Sequence, residues 1–131
     1  MYKPKKVILI PFTQVDEDNN LRFEAKFFYQ EYFQDAEALQ IVGDGLAGKM
    51  FIKDELAMYI TGEGKASSAM ATSALLCNSN FDFSDTTFIL CGCCGSAYGK
   101  GVPGDVYVIE DAVDIDLGFR VDVRDNDEDK T

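Results

Sequence analysis

Apolar residues in this chain fall into short unbroken runs separated by polar or glycine-rich stretches. Such runs predict strands covered on both faces, whereas a half-exposed strand would alternate. The segment from Lys6 to Phe12 is the first, closed by Pro11 and the polar stretch Thr13 to Asn20. Leu21 to Ala38 reads as a helix, because Phe23, Phe27, Tyr29-Gln30 and Phe33 recur at three-to-four spacing. A short strand at Leu39 to Val42 and a turn at Gly43-Asp44-Gly45 come next. Lys49 to Lys53 and Glu55 to Thr61 predict a hairpin around Asp54. Lys65 to Cys77 predicts a small-residue helix with Ala66, Ala69, Met70, Ser73, Leu76 and Cys77 on or near one face.

The polar loop Asn78 to Asp85 leads into the most informative stretch, Phe88-Ile-Leu-Cys-Gly-Cys-Cys-Gly-Ser-Ala97. A strand is expected over Thr86 to Cys91 and another over Asp105 to Ile109, after Gly99, Gly101 and the Pro103-Gly104 turn. Strands alternating with helices define the fold class as α/β, a three-layer sandwich with a twisted mixed sheet covered by helices. Four apolar residues in succession place Phe88 to Cys91 at the buried centre of that sheet.

With 131 residues the chain suffices for one core, taken as residues 1–121, with an acidic tail at 122–131. The tail sets Asp122, Asp125, Asp127, Glu128 and Asp129 against Arg124 and Lys130, and reads as a solvated terminus rather than an interaction tail. A formal net charge of -11 repels phosphate backbones and argues against nucleic acid as a partner. No run approaches the roughly 20 apolar residues that span a bilayer. Cys91, Cys93 and Cys94 crowd into four positions, unlike a framework of bridges between distant segments, so reduced thiols and a cytoplasmic location are expected.

Three constellations carry candidate chemistry, each with a plain structural rival. Thr61-Gly62-Glu63-Gly64-Lys65-Ala66-Ser67 lies at a strand end and a helix start, where free amides attract anions and glycines admit a ligand. It fails the P-loop spacing, since Tyr59 stands where the first glycine belongs and Ala66 follows Lys65; the rival is an ordinary strand-to-helix turn. Cys91 and Cys94 have the C-x-x-C spacing of redox pairs and half zinc sites, but the chain has no His and no second pair. Thiols serving as small hydrophobes are the better reading, and no metal is expected. Gly92, Cys93, Cys94, Gly95 and Ser96 form a small-residue turn at a strand's carboxyl end, where open α/β sheets place ligands. Together with Gly62 and Gly64 on a neighbouring strand they predict one crevice for an anion or sugar, with packing alone as the rival.

Thr61-Gly-Glu-Gly-Lys-Ala-Ser-Ser-Ala-Met-Ala71, Phe88 to Ala97 and Gly101-Val-Pro-Gly-Asp-Val-Tyr-Val108 in this order resemble the nucleoside phosphorylase superfamily. Asn80 to Phe88 and Asp111 to Arg124 look most like its purine nucleoside permease group. The resemblance covers Glu55 to Arg124 closely and Lys6 to Gly45 in the order of elements. It implies cleavage of a ribosyl C1'–N bond by phosphate or water, with phosphate as co-substrate and no other cofactor. On that reading Gly62, Gly64, Gly92, Cys93, Cys94 and Gly95 bind nucleoside and phosphate, and no catalytic residue is assigned. Cys93 stands where the family has a Ser or Thr hydroxyl, a better donor than a thiol. Leu90 stands where some phosphorylases carry an Arg. Members run to roughly twice this length, as two-half sheets do, so the chain resembles the amino-terminal half, with weak or no cleavage expected from it alone. A non-catalytic nucleoside-binding, permease-like module is the alternative. The aromatic residues Phe23, Phe27, Phe28, Tyr29, Tyr32 and Phe33 exceed what one helix face can bury, and a homo-oligomer is expected.

Overall fold

A computed structural model describes residues 1–114; the acidic tail at 122–131 lies outside them. Among the described residues are five strands, β1 (Lys6–Ile10), β2 (Glu37–Gln40), β3 (Lys49–Lys53), β4 (Leu56–Ile60) and β5 (Thr87–Leu90). Helix α1 (Glu24–Phe28) runs directly into a π-helical segment (Tyr29–Phe33), and α2 (Lys65–Leu76) joins β4 to β5. The sheet order is β2-β3-β4-β1-β5. The β2-β3-β4 ladder is antiparallel, while β4, β1 and β5 run parallel. This is an α/β protein with a mixed sheet. Its contacts divide it into one unit of Met1–Gly95, which holds the whole sheet, and a second that begins at Ser96.

The apolar run of β1 produces two cores, one on each face of the sheet. Ile8 and Ile10 join Met58, Ile60 and Phe51 beneath Ala25 and Phe33. The alternate positions Val7, Ala57, Tyr59 and Met50 pack against Ala71 and Leu75 of α2 and against Phe81. Period-two alternation thus puts each strand's odd and even residues in different cores, and an uninterrupted apolar run suits both. The Tyr59 hydroxyl crosses into the helix layer and donates to the Ala71 carbonyl at 2.8 Å.

The hairpin, α2 and the extent of β1 agree with the sequence pattern to within two residues. Four expectations are corrected. Strand β5 is not central: it lies at the sheet edge, with Ile89 39% and Leu90 71% exposed. The reason is topological, since α2 carries the chain past β1, which takes the middle of the parallel set. The expected helix at Leu21 to Ala38 shrinks to ten residues of α1 and π segment. Leu21 instead bridges Val15, and the aromatic excess remains outside, with Phe27 72% exposed. The wide turn of the π segment re-aims Phe33 so that it is fully buried. In α2 it is Ala71 and Leu75 that face the sheet, while Met70 and Leu76 face away. The expected strand at Asp105 to Ile109 is absent: Val106, Val108 and Ile109 are exposed and pair with no strand among the described residues. The glycine turn preceding them folds on itself, with the Tyr107 hydroxyl donating to the Lys100 carbonyl at 3.2 Å.

Burial pushes the Tyr59 phenol up to about 12 from its ordinary 10.0. Its folded form keeps the proton to a higher pH than an unfolded chain does, so this part of the stability is intact below pH 10.0 and is lost as pH rises towards about 12. Tyr59→Phe is expected to cost about 1 kcal/mol at neutral pH through the lost hydrogen bond and to flatten the alkaline decline. Urea unfolding of both proteins from pH 7 to pH 11.5 checks it.

Among the described residues the outer edge of β5 is unpaired and the strand carries no charged residue, with Phe88, Ile89 and Leu90 partly exposed. Such an edge favours pairing. Self-association is expected, and Leu90→Lys is expected to reduce it; light scattering over a concentration series checks both.

Candidate functional site

Parallel pairing brings three carboxyl ends to one side of the sheet: Ile60 of β4, Ile10 of β1 and Leu90 of β5. The ladder continues briefly past the strands, with the Thr61 N–H donating to the Ile10 carbonyl at 2.9 Å and the Cys91 N–H to Leu9 at 3.0 Å. Beyond that point the chain splays into the Gly62-Gly64 turn, the Pro11-Phe12-Thr13 loop and the Gly92-Gly95 turn. The two glycine turns therefore share one end of the sheet, as expected. They are not on neighbouring strands, however, because β1 stands between β4 and β5. Two strand spacings separate them by roughly 10 Å.

The glycines divide into distinct roles. Gly62 is buried at φ +85°, and a Cβ there would collide with Ser67 Oγ and lie 3.0 Å from Ala47 Cβ. Packing and conformation both call for glycine here. Gly64, at φ +84°, opens α2 with no side-chain cap and with open space where a side chain would be. A Cβ on Gly92 would lie 3.1 Å from Glu24 Oε1 and 3.2 Å from Pro11 Cγ. At Gly95 it would meet nothing within 4 Å.

Glu24 is the residue that sequence reasoning missed. Its Oε2 accepts the Phe12 N–H at 2.9 Å and its Oε1 accepts the Cys93 N–H at 2.6 Å. One half-buried carboxylate thus ties the loop after β1 to the turn after β5. Charge-assisted bonds of this length are roughly twice as strong as neutral ones. The preceding residue, Phe23, has φ 55° and ψ -133°, a conformation a branched or bulky side chain rarely adopts. That strained turn ends the loop and starts α1 with Glu24 in its first turn. The Phe23 ring, 55% exposed, lies 5.0 Å from Phe12 at a tilt of 42°. Beside it opens a cavity of about 420 Å³ lined by Gln14, Val15, Asp16, Arg22, Phe23 and Lys26. The loop under this cavity is held by Asp16, whose carboxylate accepts the Asn20 N–H at 2.8 Å and pairs with Arg22 at 3.1 Å. The Asn20 amide is the main reason the Asp16 carboxyl lies below its usual range.

The four thiols differ in exposure. Cys77, Cys93 and Cys94 are free and exposed, and Cys91 is half-buried. Burial, and after it the negative charge of Glu24, pushes the Cys91 thiol up, away from the thiolate that redox or nucleophilic chemistry requires. Among the described residues no group of three His, Cys, Asp or Glu is placed to hold a metal ion.

A larger cavity of about 680 Å³ opens at the other end of β1 and β4, among Lys5, Lys6, Ile8, Phe28, Tyr32 and Lys53, with Glu31, Asp54 and Glu55 also on its wall. Its lysines and carboxylates mix both signs, and Lys5 is already paired with Asp85 at 2.6 Å. The carboxyl edge is the stronger candidate. It alone combines convergent strand ends, a strained backbone residue and a carboxylate spanning two loops.

These features define the chain as an α/β protein with a candidate site at the carboxyl ends of its parallel strands. The family model for purine nucleoside permeases matches residues 3–131, and the chain belongs to that family. No curated protein and no solved structure matches it. The match extends the resemblance seen from Glu55 onwards to nearly the whole chain, and relates the protein to purine nucleosides. No helix among the described residues is long and apolar enough to cross a membrane.

The separate roles of the glycines generate an ordered series. Gly62→Ala is expected to destabilise by at least about 2 kcal/mol, from positive φ plus overpacking. Gly92→Val should cost about 1–3 kcal/mol by crowding Glu24 and Pro11, and Gly95→Ala less than about 0.5 kcal/mol. Urea midpoints of the three variants check the order.

Proposed function

We propose that the chain is a purine nucleoside-binding module whose ligand lies across the carboxyl edge of β4, β1 and β5. The observation that carries this reading is the Glu24 brace between the Phe12 loop and the Cys93 turn, set beside the exposed Phe23 ring. A purine offers a flat apolar face, and an aromatic ring is its natural platform, at about 1–3 kcal/mol per stacked base. The Phe12-Phe23 pair is held in place by packing, so little conformational freedom is lost when a base is laid on it. The ribose then extends along the edge towards the Gly92-Gly95 turn. Gly64 and the uncapped start of α2 mark the far limit of the edge, and Gly62 shapes the turn between them.

The second reading is cleavage of the N-glycosidic bond by phosphate or water, and it rests on the order of glycine-rich turns at these strand ends. Phosphate on the Cys93 turn would need the amide that Glu24 already holds. Two unit charges about 4 Å apart repel by about 4 kcal/mol at a dielectric constant typical of a protein surface. Burial and then Glu24 push the Cys91 thiol up, and the chain has no His to protonate a leaving base. Binding without phosphorolysis is therefore the reading the geometry favours.

Calorimetry with inosine, adenosine and free ribose is expected to give binding of both nucleosides and none of ribose, with Phe23→Ala weakening the nucleosides about tenfold or more. Base release from inosine should be negligible with or without phosphate. Release that depends on phosphate would transfer support to the second reading, and equal affinity for ribose and inosine would remove the stacking platform.

A further inference from the structure

The two amides that Glu24 accepts belong to the loops that leave the carboxyl ends of β1 and β5. A carboxylate has roughly four lone-pair sites. Two are used by Phe12 and Cys93, leaving about two that can accept hydroxyl protons. Glu24 is half-buried in its loops and pairs with no cation among the described residues' ion pairs, which join Lys3 to Asp82, Lys5 to Asp85 and Arg22 to Asp16. Its charge therefore acts outward, on whatever enters the edge.

We propose that Glu24 sets the specificity of the edge: it accepts the hydroxyls of an uncharged nucleoside's ribose and rejects inorganic phosphate and phosphorylated sugars. The inference rests on the nucleoside reading for its ligand, while the exclusion of phosphate rests on Glu24 alone. Two fixed main-chain donors orient the carboxylate, so its free lone pairs need no reorganisation to meet a vicinal diol. An incoming phosphate meets occupied amides and a like charge at once. Removing the carboxylate reverses both conditions, because the freed Phe12 and Cys93 amides become donors facing solvent and the repulsion disappears.

The test follows the backbone amide resonances of Phe12 and Cys93 in the full chain during separate titrations with inorganic phosphate, inosine and 2',3'-dideoxyinosine. In the wild type, inosine is expected to shift both resonances saturably, dideoxyinosine to bind about tenfold or more weakly, and phosphate to leave both unmoved. In Glu24→Gln, inosine should weaken by a similar factor and phosphate should now shift the Cys93 amide. Glu24→Ala should respond to phosphate as Glu24→Gln does, and thermal melts establish that each variant is folded. A saturable response of the wild-type amides to phosphate overturns the proposal, and needs no variant. Folded variants that still ignore phosphate, or that bind inosine as tightly as wild type, overturn it too. A wild type that binds no nucleoside at all defeats the nucleoside reading separately, because the phosphate titrations are read independently of it.

Discussion

Strand β1 is paired on both sides and covered on both faces, and the rest of the molecule is arranged by that constraint. Residues Val7 to Ile10 are apolar without interruption, so neither face can be left to water. Parallel pairing with β4 and β5 satisfies the backbone groups on both of its edges, while α2 and the α1-π segment close its two faces. A parallel neighbour must enter from the same end, so each of the three strands delivers its carboxyl terminus to one side of the sheet. The candidate site is a by-product of this arrangement. Loops that leave three adjacent strands in the same direction have nowhere to go but alongside one another.

Adjacent loops still need something to hold them at a fixed spacing, and the glycine-rich turns cannot do it themselves. Gly92 to Gly95 contribute no side chain larger than a cysteine, and the Pro11 loop lacks the proline N–H. The carboxylate of Glu24 fills that role by accepting one amide from each loop. Its placement depends on Phe23, whose positive φ bends the chain into α1 at a cost of about 1–3 kcal/mol. The packing of Phe23 on Phe12 and the two short hydrogen bonds offset that strain. Strain, brace and aromatic platform thus belong to one assembly rather than to three separate features.

The sequence made some of this visible and concealed the rest for identifiable reasons. The hairpin of β3 and β4 was legible because apolar periodicity is local and Asp54, at φ 54°, is a residue that tolerates a tight turn. Helix α2 was legible in extent but not in orientation: Met70 and Leu76 are larger than Ala71, yet a small residue lets the helix sit close enough for Tyr59 to reach its carbonyl. The edge position of β5 was hidden because an apolar run reports what a strand would bury, not which neighbours the topology gives it. The segment Asp105 to Ile109 failed for the same reason, having strand composition but no strand partner among the described residues. Gly62, Gly64 and Gly92 to Gly95 were correctly placed at strand ends, and only coordinates could separate Gly62, which packs, from Gly95, which faces open space. Glu24 left almost no trace. An acidic residue in the first turn of a helix is ordinary, and its partners lie 12 and 69 positions away.

The substitution pattern at the Cys93 turn becomes coherent once Glu24 is included. A turn built to hold phosphate benefits from a hydroxyl donor and from a nearby guanidinium, and the resemblance to phosphorylases sets Cys93 and Leu90 at the positions concerned. Each replacement taken alone reads as decay of an anion site. At Cys93 the main-chain amide is already taken by the Glu24 carboxylate, whereas Leu90, in register with Leu9, belongs to the opposite side of the sheet, which faces α2. The same carboxylate, second to burial, pushes the Cys91 thiol up. Glu24 thus bears on the Cys93 turn directly and on the Cys91 thiol second to burial. On the proposed reading, an edge whose fixed charge is negative selects ligands by the hydroxyls they donate.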